Sequence, residues 1–129
     1  MSGKRPVQHP DKDFTYGLFS AAIVCDGWIF VAGTTGYDYD TMTMPESVVE
    51  QCRNALATIG RALAEAGASL DDVVRVRYIL PDAADWPACW PLTAQAFATA
   101  RPAATMISAA LQNPEMKIEI EATAKAKAP

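Results

Sequence analysis

The sequence predicts one α+β domain in the order β-β-α-β-α-β-β, with two helices on one face of a five-stranded sheet. Three observations predict it. At 129 residues, half of them hydrophobic, the chain can bury one core but has no room for a second. Short β-branched and aromatic runs recur between turn signals. One long stretch instead repeats its apolar residues at steps of three and four.

Residues 1–13 are polar, carry Pro6, Pro10 and the lone histidine His9, and read as a flexible arm; 125–129 read as a tail. Residues 20–25 are short and apolar. Asp26-Gly27 then marks a hairpin turn into a second strand, 28–32. Gly33-Thr34-Thr35-Gly36 breaks that strand. Thr43-Met44-Pro45-Glu46 has the form of a capping box with proline in the first turn. Val48, Cys52, Ala55, Leu56, Ile59, Leu63 and Ala66 follow as one apolar helix stripe, and Gly67 supplies its left-handed stop.

Residues 73–80 form a third strand, with Val74, Val76, Tyr78 and Leu80 on one face and Arg75, Arg77 and Ile79 on the other. Asp82 or Asp85 caps a second helix to about residue 99. Pro91, four residues after Pro87, should kink or loosen it. Strands at 104–109 and 117–123 complete the order. On the last, Ile118, Ile120 and Ala122 share the side assigned to the helices, and Glu119 and Glu121 share the other. Two helices cover one face of a sheet, so Glu119, Glu121, Arg75 and Arg77 point to an uncovered face, which another subunit should cover.

Charge excludes several function classes. Residues 14–116 hold eleven acids against five arginines, so the body lacks the basic stripe a nucleic-acid binder needs. No apolar run is long enough to cross a bilayer, and the start lacks the apolar stretch of a secretory signal. Cys25, Cys52 and Cys89 are odd in number and widely spaced. They read as reduced thiols of a cytoplasmic protein, not as a disulfide frame or zinc site.

The segment Ala66-Gly67-Ala68-Ser69-Leu70-Asp71-Asp72-Val73-Val74-Arg75-Val76 resembles the helix–turn–strand signature of the Rid proteins, also called YjgF/RidA or L-PSP proteins. Phe30-Val31-Ala32-Gly33, Arg101-Pro102-Ala103 and Lys117-Ile118-Glu119-Ile120-Glu121-Ala122 resemble further landmarks in matching order. The resemblance implies a chorismate-mutase-like domain, a homotrimer whose sheets line a central barrel, and small-molecule clefts between subunits. It also implies hydrolysis of 2-enamines and 2-imines to 2-oxo acids and ammonia, without metal or organic cofactor.

That chemistry needs a cation for the substrate carboxylate, a placed water, and an acidic group to manage protons. The family's arginine after Pro-Ala falls at Ala104, its first-strand tyrosine at Phe19, its second-helix asparagine at Trp90, and its Ser-Gly-Gln at Ala32-Gly33-Thr34. Glu119 matches the cleft glutamate and is the catalytic candidate. Phe19, Gly33, Thr34, Trp90, Ala104, Thr105 and Met106 are the ligand-binding candidates. Arg77 stands as a replacement for the lost arginine or a structural partner of a glutamate, and Glu121 as a second cleft acid or an ion-pair partner.

With Ala, Phe and Trp for Arg, Tyr and Asn, the cleft is less charged and more aromatic. An unpaired carboxylate is costly there, which argues against the standard 2-aminoacrylate substrate. Two functions follow. One is a metal-independent hydrolase or deaminase acting on an imine, enamine or related C–N substrate. The other is a non-catalytic small-molecule-binding trimer that keeps the intersubunit cleft. A ribonuclease role fits poorly with an acidic body and a single histidine.

Overall fold

A computed structural model describes residues 3–11, 15 and 17–127. Its strands are β1 (Lys4–Val7), β2 (Ala22–Cys25), β3 (Trp28–Thr35), β4 (Val73–Leu80), β5 (Ala103–Ser108) and β6 (Glu119–Lys125). Its helices are α1 (Val48–Glu65) and α2 (Trp86–Ala96). The strands form one mixed sheet in the order β1-β2-β3-β6-β4-β5. Every pairing is antiparallel except β4 with β5, which α2 connects.

The β2–β3 hairpin turns through Asp26 (φ 53°) and Gly27 (φ 79°). Two left-handed residues in succession match the right-handed twist of the flanking strands, and Asp-Gly adopts them at little cost. Lys125 ties the turn to β6: its Nζ donates to the Asp26 carbonyl at 3.0 Å and lies 4.7 Å from the centre of the Trp28 ring.

α1 lays Cys52, Ala55, Leu56, Ile59, Ala62 and Leu63 against the sheet. Ile29, Val31, Val76, Tyr78, Leu80, Ile118, Ile120 and Ala122 meet them from the strands. Both helices therefore serve one face. Cys52 and Cys89 are fully buried, and their thiols face each other across the α1–α2 contact. The Trp86 ring packs at 4.4 Å on Tyr78, which fastens the start of α2 to β4.

Four expectations need correction. First, the N-terminal segment is not all arm: Lys4–Val7 pairs with β2 and buries Val7 to 3% exposure. Pro6 and two charges look like coil, but an edge strand tolerates both. Second, α1 starts one turn later than the capping box suggests. Ser47 Oγ accepts from the Glu50 backbone N–H, while Thr43 pairs with Asp38 in an isolated bridge. Third, Val74 does not share the core face. A bulge sets Val73 opposite Ala124 and Arg75 opposite Thr123, leaving Val73 2% and Val74 43% exposed. Fourth, α2 ends at Ala96, with Pro91 inside it, and a short 3-10 turn capped by Asp82 precedes it.

A buried glutamine ties α1 to the segments that precede α1 and β6. Gln51 Nε2 donates to the carbonyls of Pro45 (2.7 Å) and Glu115 (2.9 Å), and its Oε1 accepts from Lys117 N (2.8 Å). Gly36 permits this approach, since a Cβ there would lie 2.3 Å from Gln51 Cα.

Candidate functional site

The open face of the sheet carries the acidic corner. Glu119 begins β6, opposite Thr35 of β3 and Ile79 of β4. The β3–β6 register slips between Val31 and Thr34, which brings Gly33 beside the Glu119 carboxyl. A Cβ at position 33 would lie 2.9 Å from Glu119 Cδ, closer than real Cβ atoms come. The glycine is thus what lets a carboxyl rest against the backbone here. Burial raises the Glu119 pKa above the usual carboxylate range, and the charge of Glu121 adds to the effect.

Two residues along, Glu121 pairs with Arg77 of β4 at 3.0 Å, both side chains about two-fifths exposed (38% and 39%). Arg77 thus stands as the partner of a glutamate. Arg75, on the same face, reaches Thr105 Oγ1 at 3.5 Å.

Trp90 and Ala104 meet elsewhere. They line an open cleft of about 660 Å³ between α2 and the β4–β5 edge, together with Trp86, Phe97, Arg101 and Pro102. Ala104 pairs with Val76, whose side chain faces the helices, so this cleft lies on the sheet face opposite Glu119. Trp90 is 54% exposed at its wall. Arg101 sits at its mouth with φ 45°, a conformation unusual for a residue with a side chain. Met106, opposite Tyr78, packs into the core.

Phe19 joins an aromatic cluster. Its ring stands edge-on to His9 at 5.6 Å, and His9 stands edge-on to Tyr39 at 5.2 Å. His9 Nδ1 accepts the Asp11 backbone N–H (3.0 Å), which assigns the ring proton to Nε2, 3.2 Å from Tyr39 Oη. Burial lowers the His9 pKa and pushes the Tyr39 phenol up to about 12. Thr34 turns toward α1 and donates its hydroxyl to the Ala32 carbonyl at 2.8 Å.

A single chain therefore unites Gly33 with Glu119, and Trp90 with Ala104, but does not unite the two pairs. Sequence reasoning placed His9 in a loose arm and missed its contacts with Phe19 and Tyr39. The alternation of Tyr37 and Tyr39 with aspartates is the one local signal that could have pointed to the cluster.

A six-stranded mixed sheet with both helices on one face and an acidic, glycine-backed corner on the other defines a chorismate-mutase-like α+β domain. The sequence matches the Endoribonuclease L-PSP family over residues 12–126, and the chain belongs to that family, the Rid or YjgF proteins. A 2-iminobutanoate/2-iminopropanoate deaminase of Capra hircus is 32% identical over 109 residues, 84% of this chain and 80% of that protein. A RutC family protein of a Synechocystis species is 35% identical over 112 residues, 84% of this chain and 85% of the other. The crystal structure of a YjgF/YER057c/UK114 family member from Mycobacterium tuberculosis superposes with a TM-score of 0.85 at 34% identity, covering 96% of this chain and 100% of that one. Among the described residues, no helix is long and apolar enough to cross a membrane.

Proposed function

We propose that the protein is a metal-independent imine or enamine deaminase with Glu119 as its proton-handling group. The observation that carries this reading is the Glu119 carboxyl, pressed against Gly33 and with its pKa raised by burial. Relatives that bear the name 2-iminobutanoate/2-iminopropanoate deaminase support the reaction class.

In this reading Glu119 takes a proton from a water that adds to the carbon of the C=N bond. It returns that proton to nitrogen, and the resulting carbinolamine collapses to a carbonyl compound and ammonia. Gly33 leaves room for substrate and water beside the carboxyl. Thr105 and the Met106 backbone supply polar contacts, and Phe19, Thr34 and Trp90 shape the pocket.

The substrate differs from 2-aminoacrylate. Ala104 brings no cation, and its cleft is walled by Trp86, Trp90 and Phe97, with Arg101 only at the mouth. A flatter, less anionic or aromatic imine suits such walls. The working unit is a homotrimer, in which the Trp90–Ala104 cleft of one chain meets the Gly33–Glu119 corner of the next. Exposed Phe30 (49%) and Ile107 (40%) on the strands support burial against a neighbour. The cytoplasmic assignment rests on the cysteine usage, with Cys52 and Cys89 inside the core.

The missing arginine favours a second reading, a binding trimer without turnover. Ammonia release from a panel of imines and enamines, with 2-aminoacrylate as reference, separates the two. The deaminase reading expects release from an aromatic or bulky imine, faster than from 2-aminoacrylate and lost in Glu119→Ala. Binding without release supports the second reading.

A further inference from the structure

Another cavity lies on the helix-covered side of the sheet, where the segment after β1 passes β3, at Gly33 and Thr34, and α1. It encloses about 350 Å³. Ala21, Val31 and Ala62, all buried, line it with apolar surface. Its polar lining comes from Gln8, His9 and Thr34 and, on α1, from Thr58, Arg61 and Glu65, the last two one turn apart and so on one face of the helix.

Charge in this cavity is simple to assign. His9 also lines it, but burial lowers its pKa and its Nδ1 is occupied by the Asp11 N–H, so the ring is neutral at physiological pH. Among the described lining residues, the charges are Arg61 and Glu65. Arg61 is loosely engaged. Its guanidinium lies 3.7 Å from Asp40 and 3.4 Å from Thr58 Oγ1, both longer than the roughly 2.7–2.9 Å of a tight charge-assisted hydrogen bond. It is thus available to a better-aligned carboxylate, which its planar fork can take in two bonds.

We propose that this cavity binds a small α-amino acid. The ligand carboxylate docks on Arg61, the ammonium on Glu65, and a short side chain on Ala21, Val31 and Ala62. A simple anion would meet Glu65, and a simple amine would meet Arg61. A zwitterion satisfies both charges, and the volume, at the low end of ligand pockets, selects a molecule of few carbons. Gly33 and Thr34, which the deaminase reading also uses, form part of this cavity's β3 wall, but its charged pair lies on α1 and neither Glu119 nor Ala104 lines it.

The test is calorimetric titration of the full chain with L-2-aminobutanoate, with 2-oxobutanoate and n-propylamine as single-charge probes. Arg61 and Glu65 are exposed, so Arg61→Met and Glu65→Gln should fold, which circular dichroism checks. The expected result is saturable binding of L-2-aminobutanoate, weakened about tenfold or more by each variant, with both single-charge probes weaker than the amino acid. Arg53→Met, elsewhere on α1, should leave it unchanged. No binding at about 10 mM ligand overturns the proposal. So does binding that survives both variants, or binding of 2-oxobutanoate equal to that of the amino acid. The readout is binding, so absence of ammonia release does not touch it.

Discussion

β6 runs through two environments at once. Ile120, Ala122 and Ala124 face the helices at 0%, 3% and 0% exposure. Glu119, Glu121 and Thr123, between them, face the open side and are half-buried. The same backbone thus carries packing on one side and titratable chemistry on the other. The contrast teaches that substitutions one residue apart should fail differently: core-side changes through stability, open-side changes through protonation and turnover.

The largest effect on stability belongs to the core side. Ile120→Ala opens a cavity beneath α1 and should cost about 3 kcal/mol, read from urea midpoints. Gln51→Leu keeps the volume but strips Lys117 N–H and the carbonyls of Pro45 and Glu115 of their partner, for about 2 kcal/mol. Equal midpoints for Gln51→Leu and the parent would show that these groups find other partners.

The open side should respond to pH instead. The Glu119 pKa is raised in the folded chain, by burial first and Glu121 second. A raised carboxyl contributes stability that is complete below the unfolded value, about 4.3, and is lost as pH rises through the folded value. Glu119→Gln removes that loss. The variant should therefore be more stable than the parent near neutral pH, and the gain should vanish below about pH 4. A gain that does not vary with pH would break the contrast.

Arg77→Met should have the smallest effect, less than about 1 kcal/mol, because the ion pair with Glu121 is partly solvated. Freed of Arg77, the Glu121 charge should raise the Glu119 pKa further, visible as an upward move of the carboxyl titration by NMR.

Much of this contrast was legible in the sequence. Alternation along residues 117–123 separates Ile118 and Ile120 from Glu119 and Glu121, and β4 matches its expected range, 73–80. Local pattern is enough there because the side-chain period of a strand is two. It fails where an extra residue enters, as at Val74, and where a strand is held only by its neighbour, as at β1. Gly33 and Glu119 stand out in two separate motifs, but their contact depends on β3 pairing with β6, far away in sequence. The Arg61–Glu65 cavity left no sequence signal. On a helix wheel those two charges read as an ordinary solvated face, and only the fold brings residues 8–10 and β3 alongside them to form a cavity.

The most direct test of the account is ammonia release by Glu119→Gln, measured on an imine that the parent protein turns over. The substitution keeps the shape of the side chain and removes its capacity to exchange a proton. The account predicts that the folded variant releases ammonia at least about a hundredfold more slowly than the parent. Release at the parental rate would contradict it.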